Sequence, residues 1–325
     1  MTVLRLLLVH AHPDDETLNH GATVAAGLAM GHEVDLVTCN RGEEGEVIGA
    51  EHAHRTSDRD DTLGELREQE LEAALAALAV PGHRVTHHWL DELPGPDAAR
   101  DGRGPRYRDS GMVVLPGGRA GVPPDVRPGG FAVADQLEAA QRLAGLLRRR
   151  RPHVVLTYGP HGGYGHPDHV TAHRVTLRAL ALAAPGWSVP WVYGVAGDAV
   201  ALRGWLRRRG NGAWDPDGPL PQMYVEPDRI DATVAAEAWL PFKIAALRAL
   251  PTQVRVLDDR PGLGCLTLSD DAPQPLTGRE HAQLLRAVGL WPVPAPRLAP
   301  EDPLAALLLP AGTVPRSVAP APASG

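Results

Sequence analysis

His10-Ala11-His12-Pro13-Asp14-Asp15-Glu16 and Tyr164-Gly165-His166-Pro167-Asp168-His169 are two short stretches in which imidazoles and carboxylates crowd together. His12 and Asp15 are three positions apart, and so are His166 and His169. At a loop-to-helix junction that spacing lets both side chains face one way. Two imidazoles and one carboxylate drawn from these stretches make a common catalytic zinc set, with water in the open position. The ion would lower the pKa of that water to about 7. Asp14 is then available as general base, and the leftover His166, with Tyr164, can donate to a developing oxyanion. This is a hydrolase constellation. Each motif alone also has a structural reading: His10-x-His12 can end a strand, and Asp14-Asp15-Glu16 can complement a helix N-terminus. The recurrence of His-Pro-Asp, each time after a strand, weighs toward chemistry.

Elements with the right periods flank both stretches. Leu4 to Val9 reads as a buried strand and Thr17 to Met30 as a helix, stopped by Gly31. Glu33 to Cys39 is a second strand, Thr62 to Ala79 a second helix and Val85 to Trp89 a third strand. A third helix is expected over Ala132 to Arg149, with Val133 and Leu137 on its apolar face, then a fourth strand over His153 to Tyr158. Pro167 opens a helix that runs to about Leu182. Strand and helix thus alternate, the pattern of an α/β, Rossmann-like, mostly parallel sheet with helices on both faces. In such sheets ligands bind beyond the carboxyl ends of the strands, at the point where strand order reverses. Both motif loops leave strand ends there and can converge. Beyond Trp191 the pattern weakens. The expected division is a core over 1–190, a smaller lobe over 191–308 with a helix over Ala232 to Leu250, and a disordered Ala/Pro tail over 309–325. Residues 91–130 have no period and are too long for an ordinary connection.

Composition narrows the function classes. The 325 residues carry 32 Lys plus Arg against 39 Asp plus Glu, a net charge of −7 that suits no phosphate backbone, so nucleic-acid binding is not expected. Cys39 and Cys265 alone make neither a disulfide framework nor a four-cysteine zinc site. No apolar run is long enough to span a bilayer, and the N-terminus reads as no signal peptide, so cytoplasmic residence is the expectation. Gly162-Gly163-Tyr164-Gly165 lacks the Lys-Ser/Thr of a phosphate-binding loop, and no glycine fingerprint follows the first strand. That argues against a nucleotide-binding oxidoreductase.

The two His-Pro-Asp motifs resemble the LmbE-like (PIG-L) family of zinc-dependent N-deacetylases, which act on N-acetylglucosaminyl conjugates. Within it, Arg41 to Gly49, Arg108-Asp109-Ser110-Gly111-Met112, Gly162 to Gly165, and Lys243 to Leu247 with Thr252-Gln253 resemble the N-acetylglucosaminyl-inositol deacetylase branch of mycothiol biosynthesis. The resemblance implies that His12, Asp15 and His169 bind one zinc ion, with iron(II) or another divalent ion as the alternative. It makes Asp14 the general base. His166 stabilises the tetrahedral intermediate or protonates the leaving amine, and Tyr164 contacts the same oxyanion from a mobile loop. Asp168 orients a histidine, and Arg67 and Asp109 bind an amino-sugar substrate. The run Leu250-Pro251-Thr252-Gln253 departs from the branch, which has His before Ala-Thr-Gln. A sister enzyme, the mycothiol S-conjugate amidase, shares the metal site but usually carries Pro where this chain has Gly165. A metal-binding protein without catalysis is the reading from another class, and Asp14 and His166 speak against it.

Overall fold

The computed structural model describes residues 3–95, 106–115, 119–260, 262–287 and 304. Its centre is β1, Arg5–His10, whose Leu6 to Val9 run is buried on both faces, as a central parallel strand requires. Leu6 and Leu8 point into one core and Leu7 and Val9 into the other. The strands that follow are β2 (Glu33–Thr38), β3 (Thr86–Trp89), β4 (Val154–Thr157) and β5 (Trp191–Asp198). Helices α1 (Asp15–Ala29) and α2 (Leu63–Leu78) cover one face through Ala22, Ala25, Leu28, Leu71 and Leu78. Helices α3 (Gln136–Arg150) and α4 (Pro167–Ala183) cover the other through Leu143, Leu147, Val175 and Ala179.

The first five strands stand in the order β3-β2-β1-β4-β5, all parallel. Strand order therefore reverses between β1 and β4, whose registers pair Leu6 with Val154 and Leu8 with Leu156. The loops after β1 and β4 are neighbours at this reversal, as the sequence pattern requires.

Two helices differ from the sequence expectation. The one expected from Ala132 begins at Gln136, because Asp135 caps it, accepting from Leu137 N at 2.8 Å and Glu138 N at 3.3 Å. Val133 sits in a separate 3-10 turn and is 63% exposed, so it does not belong to the apolar face. After helix α5 (Ala199–Arg209), the helix expected over Ala232 to Leu250 is instead strand β6 (Ala232–Ala235), a 3-10 turn and helix α6 (Leu240–Arg248). The alanines' helix preference yields to pairing with β7 (Arg279–Ala287), where Ala232 lies opposite Ala282 and Ala235 opposite Arg279. Ala232 and Val234 are buried, with their neighbours half-buried, which is the period of a strand. Pro241 sits in the first turn of α6, where its missing N–H costs nothing.

Strands of the segment expected as a smaller lobe, 191–308, also join this sheet. β5 lies parallel to β4, β7 antiparallel to β5, and β6 antiparallel to β7. The expected tail over 309–325 and residues 96–105 and 116–118 of the loop lie outside the described residues.

A buried ion pair ties this part to α1. Lys243 Nζ lies 2.7 Å from Glu280 Oε1, and both side chains are 4% exposed. The Glu280 carboxylate also accepts from Ala22 N at 3.1 Å and Thr23 N at 2.8 Å. Gly21 makes room, since a Cβ there would meet Lys243 Cγ at 3.0 Å. Lys243→Met is therefore expected to strand a buried carboxylate and to cost about 3–5 kcal/mol. A urea unfolding midpoint equal to the parent protein's would show that the pair's charge is dispensable.

Candidate active site

β1 runs straight into the first motif, and Asp14 lies just before α1 at φ 118°, a strained conformation for a residue with a side chain. Arg67 of α2 clamps this turn. Its guanidinium donates to Pro13 O, to Asp14 Oδ2 at 3.1 Å and to Gly42 O at 2.8 Å. Asp14 N in turn donates to Glu16 Oε2 at 3.1 Å. Burial pushes the Asp14 carboxyl up to about 8, against the pull of Arg67 and with the push of Asp15.

The second motif enters after β4 through a turn of glycines. Gly162, Gly163 and Gly165 all have positive φ. At Gly165, φ is 102° and a Cβ would meet Ala120 O at 2.9 Å, so only glycine lets this turn lie against the Val113–Val114 and Ala120–Gly121 pair. His166 then caps α4, its Nδ1 accepting from Asp168 N at 3.2 Å, and Pro167 takes the first helical position.

The two loops meet. His12 Nδ1 lies 3.3 Å from Asp15 Oδ2 and 3.3 Å from His169 Nε2, and His169 Nε2 lies 3.4 Å from Asp15 Oδ2. All three residues are buried. A tetrahedral ion with bonds of about 2.0–2.1 Å holds its donors about 3.3–3.4 Å apart, so this triangle fits one. The proton positions fit as well. His169 Nδ1 faces Gly162 O at 3.2 Å and must carry the proton there, leaving Nε2 a lone pair toward the triangle. His12 Nε2 faces Asp168 Oδ2 at 3.3 Å, which leaves Nδ1 free to do the same. Burial raises the Asp15 carboxyl, but His169 and His12 outweigh it and hold the group well below its usual range.

The other expected residues surround this triangle. The ligand atoms of His166, His12 and His169 lie within 4.8 Å of one another, as do those of His12, Asp109 and Asp168. In the latter group Asp168 Oδ2 already accepts from protein N–H groups, which makes it the weaker metal candidate. Asp109 Oδ1 lies 3.6 Å from His12 Nε2. The ring centroids of Tyr164 and His169 are 5.3 Å apart, and Tyr164 is exposed at the mouth of the site. Burial, then His12 and His169, keep His166 well below its usual pKa. Arg67 lies beside Asp14, with its terminal nitrogens on Gly42 O and Asp14 Oδ2.

Sequence reasoning passed over two residues that the structure brings in. Tyr158 stacks on His169 at 4.2 Å between centroids, and its hydroxyl accepts from Ala11 N at 2.9 Å. Asn40 reaches Asp168. Tyr158 follows the carboxyl end of β4, which flanks the reversal, and Asn40 stands two positions past that of β2, the next strand out, and that placement is the signal that could have found them.

A doubly wound α/β sheet with a buried His–Asp–His triangle at its switch point, beside a strained carboxylate, is the layout of a metal-dependent hydrolase. The profile of the PIG-L family, described as GlcNAc-PI de-N-acetylase, matches residues 7–180. The chain is 46% identical over 269 residues to a 1D-myo-inositol 2-acetamido-2-deoxy-alpha-D-glucopyranoside deacetylase of Kribbella flavida, covering 78% of this chain and 84% of that relative. It is 44% identical over 305 residues to a protein of the same name from Kineococcus radiotolerans, covering 90% and 80%. Among solved structures it is similar to an N,N'-diacetylchitobiose deacetylase from Pyrococcus horikoshii, with a TM-score of 0.46, 18% identity and coverage of 76% and 69%. The chain belongs to the PIG-L family. No described helix is long and apolar enough to cross a membrane.

Proposed function

We propose that this protein hydrolyses the N-acetyl amide of 1D-myo-inositol 2-acetamido-2-deoxy-α-D-glucopyranoside, giving acetate and the glucosaminyl-inositol amine, a step of mycothiol biosynthesis. The observation that carries the reading is the equal-sided triangle of His12, Asp15 and His169 with Asp14 adjoining it. The relatives' shared name supplies the substrate. These three residues hold one divalent ion, zinc by the match of two imidazoles and one carboxylate to its preferred donors. A bound ion of this kind polarises the amide carbonyl and acidifies a water molecule.

The chain's own groups do the rest. Asp14, held by Arg67 next to Asp15, takes a proton from the attacking water as general base in its carboxylate form. His166 accepts at Nδ1 from Asp168 N, so its Nε2 bears a proton and donates a hydrogen bond to the oxyanion, while the departing amine takes the proton that Asp14 removed from the water. Tyr164, at the mouth, closes on the same oxyanion. Asp109 meets sugar or inositol hydroxyls. Arg67, which also holds Asp14 Oδ2, is assigned to the substrate side by the family motif.

Gly165 favours the deacetylase over the sister amidase. Proline fixes φ near −65° and cannot adopt the 102° seen here, so a chain with Pro at this position must build the turn before His166 differently. The test compares amine release from N-acetylglucosaminyl-inositol and from a mycothiol S-conjugate, using the same metal-loaded protein. Preference for the first is expected. Preference for the conjugate would move the protein to detoxification, and release from neither would overturn the substrate.

A further inference from the structure

We infer that Asn40 is a positioning residue that acts through Asp168 to fix the His12 ring for metal binding. Asn40 is fully buried at the end of β2. Its orientation is settled by its neighbours. Gly42 N can only donate, so the atom 2.9 Å from it is the amide oxygen, and the Nδ2 group faces Asp168 Oδ2, also at 2.9 Å. The backbone N–H of Asn40 donates to Ala11 O at 3.0 Å, tying the same residue to the chain just before His12.

Asp168 Oδ2 is a hub. It accepts from Asn40 Nδ2, from Ser110 N at 3.0 Å and from His12 Nε2 at 3.3 Å, while Oδ1 is buried with no partner among the described residues. A carboxylate held by one oxygen is free to swing about its Cβ–Cγ bond unless its donors pin it. Ser110 N and Asn40 Nδ2 approach from two different loops and do so. With Asp168 fixed, the His12 proton must sit on Nε2, and Nδ1 turns its lone pair to Asp15 and His169. Without Asn40, one fixed donor is lost, and both the ring angle and the tautomer of His12 become less determined. Partners of this kind typically alter metal affinity by about 10- to 100-fold.

This inference rests on the metal set proposed above. Its test is a zinc titration of the metal-stripped full-length chain against a competing chelator. The proteins compared are the parent, His12→Ala, Asn40→Ala, Asp168→Asn and the Asn40→Ala/Asp168→Asn double variant. Asn40→Ala is expected to weaken zinc about 10- to 100-fold. In the Asp168→Asn background the same change is expected to cost no more than about 2-fold, since the residue through which Asn40 acts has already been altered. Turnover at saturating zinc should fall with KM little changed. If the two losses multiply, or if Asn40→Ala binds zinc like the parent, the inference is overturned. Should Asn40→Ala not fold, Asn40→Asp retains the acceptor for Gly42 N and the side-chain size but puts an acceptor where the donor stood. A loss of similar size supports the inference, and parent-like affinity overturns it by limiting Asn40 to shaping its loop. If His12→Ala binds zinc as the parent does, the metal set itself fails. If His12→Ala loses zinc while the Asn40 variants keep it, only the role of Asn40 fails.

Discussion

Asp14→Gly is expected to lose about 100- to 10,000-fold in turnover while binding metal as tightly as the parent protein. Glycine is the informative replacement. Asp14 sits at φ 118°, which costs a residue with a side chain on the order of 1–3 kcal/mol and costs glycine little. Removing the carboxylate this way leaves the turn before Asp15 undistorted, and Arg67 keeps its bonds to Pro13 O and Gly42 O. Asp14→Ala is expected to show the same loss of turnover and to be the less stable of the two by about 1 kcal/mol or more, because alanine inherits the strain. Steady-state rates with thermal melts on both variants check this. Parent-like turnover in Asp14→Gly would remove Asp14 from the chemistry and leave it a role in shaping the loop. Loss of turnover in both variants would make the strain the cost of aiming a carboxylate beside the ligand triangle.

Asp15→Ala is expected to lose metal and turnover together. Its Oδ2 is one corner of the triangle, and His12 N also donates to it at 3.0 Å. Removing the only carboxylate of the set leaves two neutral imidazoles, and the loss of affinity should exceed the 100-fold or so that outer partners cost. The contrast with Asp14 is the point of making both variants, since the residues are adjacent in sequence and differ only in which way the turn aims them. Metal analysis of the purified proteins, together with rates at rising zinc, separates the two. Retention of one tightly bound ion in Asp15→Ala would show that another residue completes the set. His166 is the first to consider, since its ligand atom lies within 4.8 Å of those of His12 and His169.

Much of this site was legible in the sequence because its groups are concentrated in two short motifs that directly follow strands. His12, Asp15, His166 and His169 fall where the alternating pattern puts the carboxyl ends of β1 and β4, and the sheet reversal brings those ends together. Pro167 announced the start of α4 by the same logic. What stayed hidden was set by partners distant in sequence. Asn40 and Asp168 are far apart in the chain, and nothing in a polar loop distinguishes an asparagine that holds a carboxylate from one that faces water. Tyr158 looked like the end of a strand and turned out to stack on His169. β6 was misread because Ala-Thr-Val-Ala-Ala leading into an alanine-rich helix has no local stop. Only the edge of β7 makes it a strand. Arg67 has contacts that its motif did not show: its guanidinium also ties Gly42 O to the turn that carries Asp14.

The most direct test of the central claim is to strip the protein with a chelator, add zinc back in steps and follow amine release from N-acetylglucosaminyl-inositol. The account predicts no release from the stripped protein and a rise that breaks at one ion per chain, the capacity of a single His12–Asp15–His169 triangle. Full turnover with the chelator still present, or no amine release at any zinc level, would contradict it.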